Sequence, residues 1–477
     1  MDSRFEKILQ RIPEAEREKL SQVYAYSAEH LSSVRRRNGI DYSTHGLEVA
    51  SVFSECSNDA SIISVAFLHD ILLHPQGEHL LSGAPLTQKE KNSVRIMNRL
   101  RRLHIDSNKM DLNRFIEAIS EESYLIPLRI AHRLNDIRSL SLFDDELKEK
   151  MAHESLHMYA AIAGRLSMHS WRYEMEDICF RFLQKETVTG LLGKFEEYKK
   201  LDQISFSHAV KYIGKKLDEA GIHHRIDYRL KSLYSTYRKM IVKNRKFEDM
   251  TDRLAVRIIT KNTEDCYRAL GIVHAHMHPI AGKLKDYIGI PKENGYQSIH
   301  TVVYPLPGVT EQPIEIQIRT EEMHKACEYG VAAHGEYKNA NYSLRTNYSH
   351  VNLIKNFQLL CAKGRSPEQF ENTLRTYFDE NHMAIFDSDN NLYHVKRPAN
   401  ILDFMCLLYP KKLANLKEVR LNGRVVPIDT ALHDGDIVDP RFTKKPTINI
   451  SWIKACVRDE NAKRIKGIFV DTYGDKR

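Results

Sequence analysis

The sequence predicts a multidomain α+β protein: an all-helical part over residues 1–195, a mixed α/β part over 196–340, and a small β-rich part over 381–442. A connector over 341–380 and a tail over 443–477 complete the division. Three observations support it. In the first part, LKEKMAHESLHMYAAIAGRL and EMEDICFRFL repeat apolar residues at intervals of three and four, the period of an amphipathic helix. Beyond residue 200 the strand-like runs RLAVRIIT, HTVVYP and PIEIQIRT alternate with helical stretches. After residue 381, short strands are separated by the turn signals DSDNN, LNGR and HDGD. The connector is polar and then helical, and the tail INISWIKACVRDENAKRIKGIF returns to a helical pattern.

Composition narrows the function classes. A chain of 477 residues suits about three domains. With 42 % hydrophobic and 28 % charged residues it can bury ordinary globular cores. No run approaches the roughly 18 apolar residues of a membrane helix. The charged start MDSRFEKILQRIPEAEREKL lacks an apolar signal core, so a cytoplasmic protein without membrane association is expected. Seven cysteines occur singly, with no CxxC pair, which argues against a disulfide framework and a cysteine zinc site. The excess of 71 basic over 63 acidic residues suits phosphate-bearing partners without identifying them.

The middle part carries the richest chemistry. Arg229, Lys231, Ser235, Arg238 and Lys239 lie in a basic stretch, where guanidinium forks and ammonium charges at helical spacing can hold a polyphosphate. A solvated basic helix face gives the same pattern. Asp252 stands just before RLAVRIIT, where a Mg²⁺-binding carboxylate or a plain turn residue would sit. In KDYIGIPKENGYQSIHTVVYP, Lys285 and Lys292 supply charge and Asn294-Gly295 a turn. Tyr296 offers a flat face for a base, and Gln297 and His300 add polar edges. In PIEIQIRT, Ile314, Ile316 and Ile318 face one side and Glu315, Gln317 and Arg319 the other. That face suits a catalytic floor; an exposed edge strand would show the same alternation.

In the helical part, His45, the adjacent pair His69-Asp70 and the distant His132 outline a metal site. Imidazole and carboxylate ligands suit Mn²⁺, Fe²⁺ or Zn²⁺. Single histidines in helical proteins are more often surface or core residues.

Taken in order, RLKSLYSTYRKM, DRLAVRIIT, KDYIGIPKENGYQSIHT, EIQIRTEEMH and EYGVAAHGEYK resemble the synthetase domain of the RelA/SpoT homologue family. The resemblance implies a nucleotidyltransferase-like fold and synthesis of (p)ppGpp from ATP and GDP or GTP with Mg²⁺, a GTP diphosphokinase activity of the stringent response. It implies that Arg229, Lys231, Ser235 and Lys239 hold the ATP phosphates and that Asp252 binds Mg²⁺. It places Lys285, Lys292, Asn294, Tyr296 and His300 in the guanosine-nucleotide pocket, with Tyr296 stacking on guanine. Glu315 would stand near the acceptor 3′-hydroxyl, making Asp252 and Glu315 the catalytic carboxylates. Two positions depart from the family: Tyr228 replaces a glycine and Gly335 a tryptophan.

YSTHGLEVA, AFLHDILLH and EMEDICFRFL resemble the family's HD-type hydrolase half, with Arg36, His45, His69 and Asp70 at matching positions. The family's Glu-Asp pair is Leu73-His74 here, the aspartate of its ADRLHN element is His132, and its His-Asn is Asn135-Asp136. The expectation is a metal held by His45, His69, Asp70 and His132, with Mn²⁺ or another divalent ion, in a domain that hydrolyses (p)ppGpp poorly or not at all. A working hydrolase would make the chain bifunctional. MAIFDSDNNLYHVKRPANILDFMCLLYP and VRLNGRVVPID resemble a TGS module of β-grasp fold. The resemblance implies contact with tRNA on the ribosome, weakened by Tyr409 in place of a histidine. Two rivals remain: a toxin-like relative that pyrophosphorylates tRNA or adenosine nucleotides, and a non-catalytic nucleotide sensor.

Overall fold

A computed structural model describes residues 2–102, 125–166, 168–230, 232–243, 246–247, 254–291, 296–304, 313–330, 382–389, 392–433 and 436–474. They form two compact units, one holding every described residue up to Gly330 and one those from His382 onward.

The first unit begins as helices. Asp41 and Asp59 start two of them, accepting hydrogen bonds from Thr44 N (2.8 Å) and Ser61 N (3.0 Å) at the helix N-termini. These helices, Tyr42–Ser54 and Ala60–Leu68, pack together and against Leu125–Arg138. Gly46 permits the approach: a Cβ there would lie 2.5 Å from the Phe67 carbonyl oxygen. A larger residue would hold the helices apart.

The 35-residue helix Lys185–Glu219 leads out of this part. The boundary expected at 195/196 falls inside it. Val188 and Leu191 pack with Phe180 and Leu233, whereas Ala209, Ile213 and Leu217 enter the core of the following sheet. One helix therefore serves both cores.

That sheet has six strands: β1 His224–Leu230, β2 Leu254–Thr260, β3 His278–Pro279, β4 Lys285–Asp286, β5 Ile299–Tyr304 and β6 Ile314–Thr320. Their order is β1-β2-β6-β5-β3, with β4 also paired to β5. β2 and β6 run parallel and the other pairs antiparallel. The alternation in PIEIQIRT is not that of an edge strand, because β6 lies between β2 and β5. Its isoleucines join Val256, Ile258 and Ile299 under the helices Lys185–Glu219 and Thr263–His276. Burying each such side chain contributes about 1.5–3 kcal/mol, which fixes the register and turns Glu315, Gln317 and Arg319 to the opposite face.

The second unit is a five-stranded sheet: β7 His382–Asp387, β8 Leu392–Lys396, β9 Leu416–Leu421, β10 Arg424–Val426 and β11 Ile437–Phe442. Its order is β10-β9-β11-β7-β8, with β11 parallel to β7. The LNGR turn places Asn422 at φ 52 and Gly423 at φ 82, the left-handed pair that a tight hairpin needs. Helix Ile401–Leu408, opened by an Asn400–Asp403 capping box, packs on the sheet. Two hairpins around one helix, with the last strand parallel to the first, make a β-grasp. The tail's helical pattern is realised as Ser451–Ala455 and Asp459–Tyr473, and Ile448, Trp452 and Ile465 from it complete this core. Tyr409 ends the helix, with its ring 5.4 Å from Phe442. The expected connector, 341–380, lies outside the described residues.

Candidate metal centre and active site

Three helices bring the first cluster together. His45 lies in the first turn of Tyr42–Ser54, His69-Asp70 follow Ala60–Leu68, and His132 lies on Leu125–Arg138. The imidazole centroids stand 4.8–5.1 Å apart, and one ligand atom from each of the four residues lies within 4.8 Å of the others. All four residues are at most 2 % exposed. Among the described residues, Nε2 of His45, His69 and His132 and both Asp70 carboxylate oxygens have no hydrogen-bond partner. Five buried polar atoms left this way would each be costly, unless a cation satisfies them together.

His69 stands in a ligand form. His45 and His132 instead turn Nδ1 to arginine donors, Arg36 at 3.0 Å and Arg129 at 2.8 Å. The proton of each of these neutral rings therefore sits on Nε2 and must leave or move when an ion binds. His69 Nδ1 sits 2.6 Å from the Ala66 carbonyl, so that nitrogen carries the proton and Nε2 keeps its lone pair. Burial, with Arg36 beside it, pushes His45 down to about 3. Burial with His69 and Arg129 nearby holds His132 well below the ordinary histidine value. Burial drives the Asp70 carboxyl up, but His69, His45, Arg36 and Arg101 outweigh it and keep the group anionic. Asp136 binds Arg36 at 2.9 Å and lies 3.2 Å from His132 Nδ1, supporting the ring from behind. Neutral imidazoles around a buried carboxylate fit a divalent transition metal. Positions 73 and 74 offer no carboxylate beside the cluster: Leu73 has no titratable group, and His74 Nδ1 accepts from Gln76 N at 3.0 Å.

The second site lies on the polar face of the six-stranded sheet. Register aligns Asp227, Arg257, Gln317, His300 and Lys285 in one row across β1, β2, β6, β5 and β4. In the adjacent row, position 229 lies level with Ala255 and Glu315. Glu315 Oε1 is 3.1 Å from His300 Nδ1 and 3.3 Å from Gln317 Nε2. Tyr296 Oη lies 2.8 Å from His300 Nε2. One tautomer satisfies both contacts of the ring, with Nδ1–H donating to Glu315 and the Tyr296 hydroxyl donating to Nε2. Burial pushes the Tyr296 phenol up to about 12, which keeps it a donor.

The other expected participants are placed as follows. Ser235 and Lys239 are one turn apart on helix Leu233–Lys243, and the Ser235 hydroxyl is 2.9 Å from that of Ser232. Lys285 is exposed on β4 opposite His300, and the Gln297 carbonyl accepts from the Cys327 thiol. Only the backbone of Arg229 is described, on β1; Lys231, Asp252, Lys292 and Asn294 lie outside the described residues.

Sequence reasoning missed a buried charge group beside the row. Glu328 takes both Arg257 and Arg319 at 3.1 Å, and Arg319 also reaches His324 Nδ1 at 3.0 Å. Burial, then Arg319 and Arg257, push His324 down to about 4. Ile226, Asp227, Arg257, His324, Glu328 and Tyr329 line a cavity of about 440 Å³ there. An arginine inside the apolar run RLAVRIIT was the available signal.

Two stretches of the chain match known families. Residues 228–342 match the region found in RelA/SpoT proteins, and residues 23–169 match an HD domain. A probable guanosine-3′,5′-bis(diphosphate) 3′-pyrophosphohydrolase of Synechocystis sp. is 30 % identical over 93 % of this chain and 59 % of its own length. The GTP pyrophosphokinase rsh of Brucella ovis is 28 % identical over 92 % of this chain and 60 % of its own. The chain thus spans about three-fifths of the length of these curated relatives. The small alarmone synthetase 1 of Bacillus subtilis bound to its product pppGpp is 21 % identical, covering 37 % of this chain and all of its own, with a TM-score of 0.26. The class is therefore an HD domain joined to a mixed α/β RelA/SpoT region. Both regions are present in the chain, and these relatives are named for both making and degrading reactions. No described helix is long and apolar enough to cross a membrane.

Proposed function

We propose that the chain is a (p)ppGpp synthetase, with 196–340 as the synthetase domain, 1–195 as an HD domain and 381–442 as a TGS module. The 3′-hydroxyl oxygen of GDP or GTP attacks the β-phosphorus of ATP. An O3′–Pβ bond forms, the Pα–O–Pβ bridge breaks at Pβ, and AMP leaves with the bridging oxygen. The observation that carries this reading is the hydrogen-bonded series Tyr296–His300–Glu315 on the polar sheet face. His300 and Gln317 fix Glu315, which takes the hydroxyl proton as the oxygen attacks. Tyr296 supplies the ring against which guanine stacks, and its hydroxyl orients His300. Arg229, Lys231 and Lys239 neutralise the ATP phosphates and Ser235 donates a hydrogen bond to them, Lys285 and Lys292 neutralise those of the acceptor, and Asn294 and Gln297 contact the acceptor nucleotide. The cavity beside Arg257, adjoining β1, is large enough for the donor nucleotide's base. Mg²⁺ at Asp252 would supply further charge neutralisation at the polyphosphate.

In the HD domain, His45, His69, Asp70 and His132 would hold a divalent ion such as Mn²⁺, which supplies Lewis acidity. Without the Glu-Asp pair, proton transfer at the departing diphosphate has no strong candidate, and hydrolysis is weak. The test is incubation with labelled ATP and GDP, GTP, tRNA or adenosine nucleotides, with and without Mg²⁺. AMP release coupled to (p)ppGpp formation supports the reading. A tRNA or adenosine product would point to the toxin-like alternative, and nucleotide binding without AMP to a sensor.

A further inference from the structure

We infer that Asp177, outside the stretch that matches the RelA/SpoT region, is a positioning residue for the ATP-phosphate contacts; the inference rests on the proposed synthetase reaction. Helix Leu233–Lys243 carries Ser235 and Lys239, and its first turn decides where both point. The first N–H groups of a helix have no partner within it. Here the local sequence supplies one cap: Ser232 Oγ accepts from Ser235 N at 3.2 Å. The two preceding amides are taken by a residue 56 positions away. Asp177 Oδ2 accepts from Leu233 N at 3.2 Å and Oδ1 from Tyr234 N at 2.9 Å.

Asp177 belongs to helix His169–Leu183 of the HD part. One turn further along, the Phe180 ring packs on Tyr237 at 4.8 Å and Tyr234 at 5.5 Å. The helix Leu233–Lys243 is thus held at its end by charge and along its side by aromatic contact. A carboxylate at a helix N-terminus also suits the helix dipole. Because Asp177 occupies these amides, they are not available to ATP. The phosphates must be met by side chains, which makes the setting of Ser235 and Lys239 the quantity that Asp177 controls.

The experiment compares the full chain with Asp177→Ala and Asp177→Asn, and needs two readouts. In steady-state synthesis, Asp177→Ala is expected to raise KM for ATP about tenfold, the scale of a lost cap, with KM for GDP within about twofold. Asp177→Asn keeps an acceptor oxygen and should recover most of the loss. In the nucleotide-free protein, amide exchange over 233–239 should quicken in Asp177→Ala and return towards normal in Asp177→Asn, while 45–70 stays unchanged. Equal rises in KM for both nucleotides, or unchanged exchange over 233–239, would overturn the inference. If the unaltered protein makes no AMP, the reaction itself fails. Equilibrium binding of ATP to the same three proteins then decides the role of Asp177, and equal affinities would refute it.

Discussion

Replacing Gly46 by alanine tests whether the histidine cluster depends on the closeness of two helices. The new Cβ would stand 2.5 Å from the Phe67 carbonyl oxygen, and ordinary contact begins near 3.4 Å, so the helices must part by about 0.9 Å. That oxygen cannot simply swing aside, because it is backbone and already accepts from Ser27 Oγ at 3.1 Å. Gly46 adjoins His45 and Phe67 stands two residues before His69, so the separation passes directly into the ligand set. Metal ligands tolerate errors of about 0.2 Å, several times less than this displacement. Gly46→Ala should lower Mn²⁺ affinity about 10–100-fold, the scale seen when supports around a metal site are lost. The overpacking itself should cost about 1–3 kcal/mol of stability. Calorimetric titration with Mn²⁺ and thermal melting of the apoprotein measure the two effects. Gly190→Ala serves as the control: its Cβ meets nothing within 4 Å on helix Lys185–Glu219, so it should stabilise by about 0.5–1 kcal/mol. A Gly46→Ala protein that binds Mn²⁺ as tightly as the unaltered chain would refute the reasoning.

Further outcomes follow from the sheet face and the two flanking domains. Glu315→Gln keeps the shape but loses the base, and AMP release should fall about 10²-fold; an unchanged rate would reduce Glu315 to a support for His300. Tyr296→Phe loses the bond to His300, worth about 0.5–1.5 kcal/mol, whereas Tyr296→Ala also loses stacking worth about 1–3 kcal/mol, so GDP affinity should fall in that order. Burial pushes the Tyr296 phenol to about 12, against about 10 in an unfolded chain. Its contribution to stability is therefore complete below about pH 10 and lost as pH rises through about 12, and Tyr296→Phe should flatten alkaline unfolding in that window. Supplied with ppGpp and Mn²⁺, the protein should release little pyrophosphate; robust release abolished by His69→Ala would establish a working hydrolase. Removing residues 381–477 should leave basal synthesis measurable by AMP release, and total loss in a folded truncation would show that the module completes the site.

The legible features were those written in local period and residue type. The alternation in PIEIQIRT gave the polar face, and the His-Asp pair with two further histidines gave the cluster. Contacts made across the fold were not legible. No spacing announces that His300 lies beside Glu315, since antiparallel register rather than chain distance brings them together. An edge strand shows the same alternation, and only the pairing of β2 alongside β6 excludes it. Gly46 reads as an unremarked helix glycine, and only the approach of Phe67 explains it. The convergence of Arg257 and Arg319 on Glu328 was hidden for a similar reason: the three residues come from different elements.

The helix Lys185–Glu219 also limits how such a protein can be rebuilt. Its 35 residues span about 52 Å at the usual rise, rooted at one end among Phe180 and Leu233 and at the other in the sheet core. A chimera joined at 195/196 would splice two half-helices chosen by different partners, and any mismatch in length or rotation would reach both cores at once. Exchange between relatives should succeed only when the whole helix travels with the sheet it supports. The helical packing around Phe180 and the sheet core are therefore coupled through one continuous backbone element.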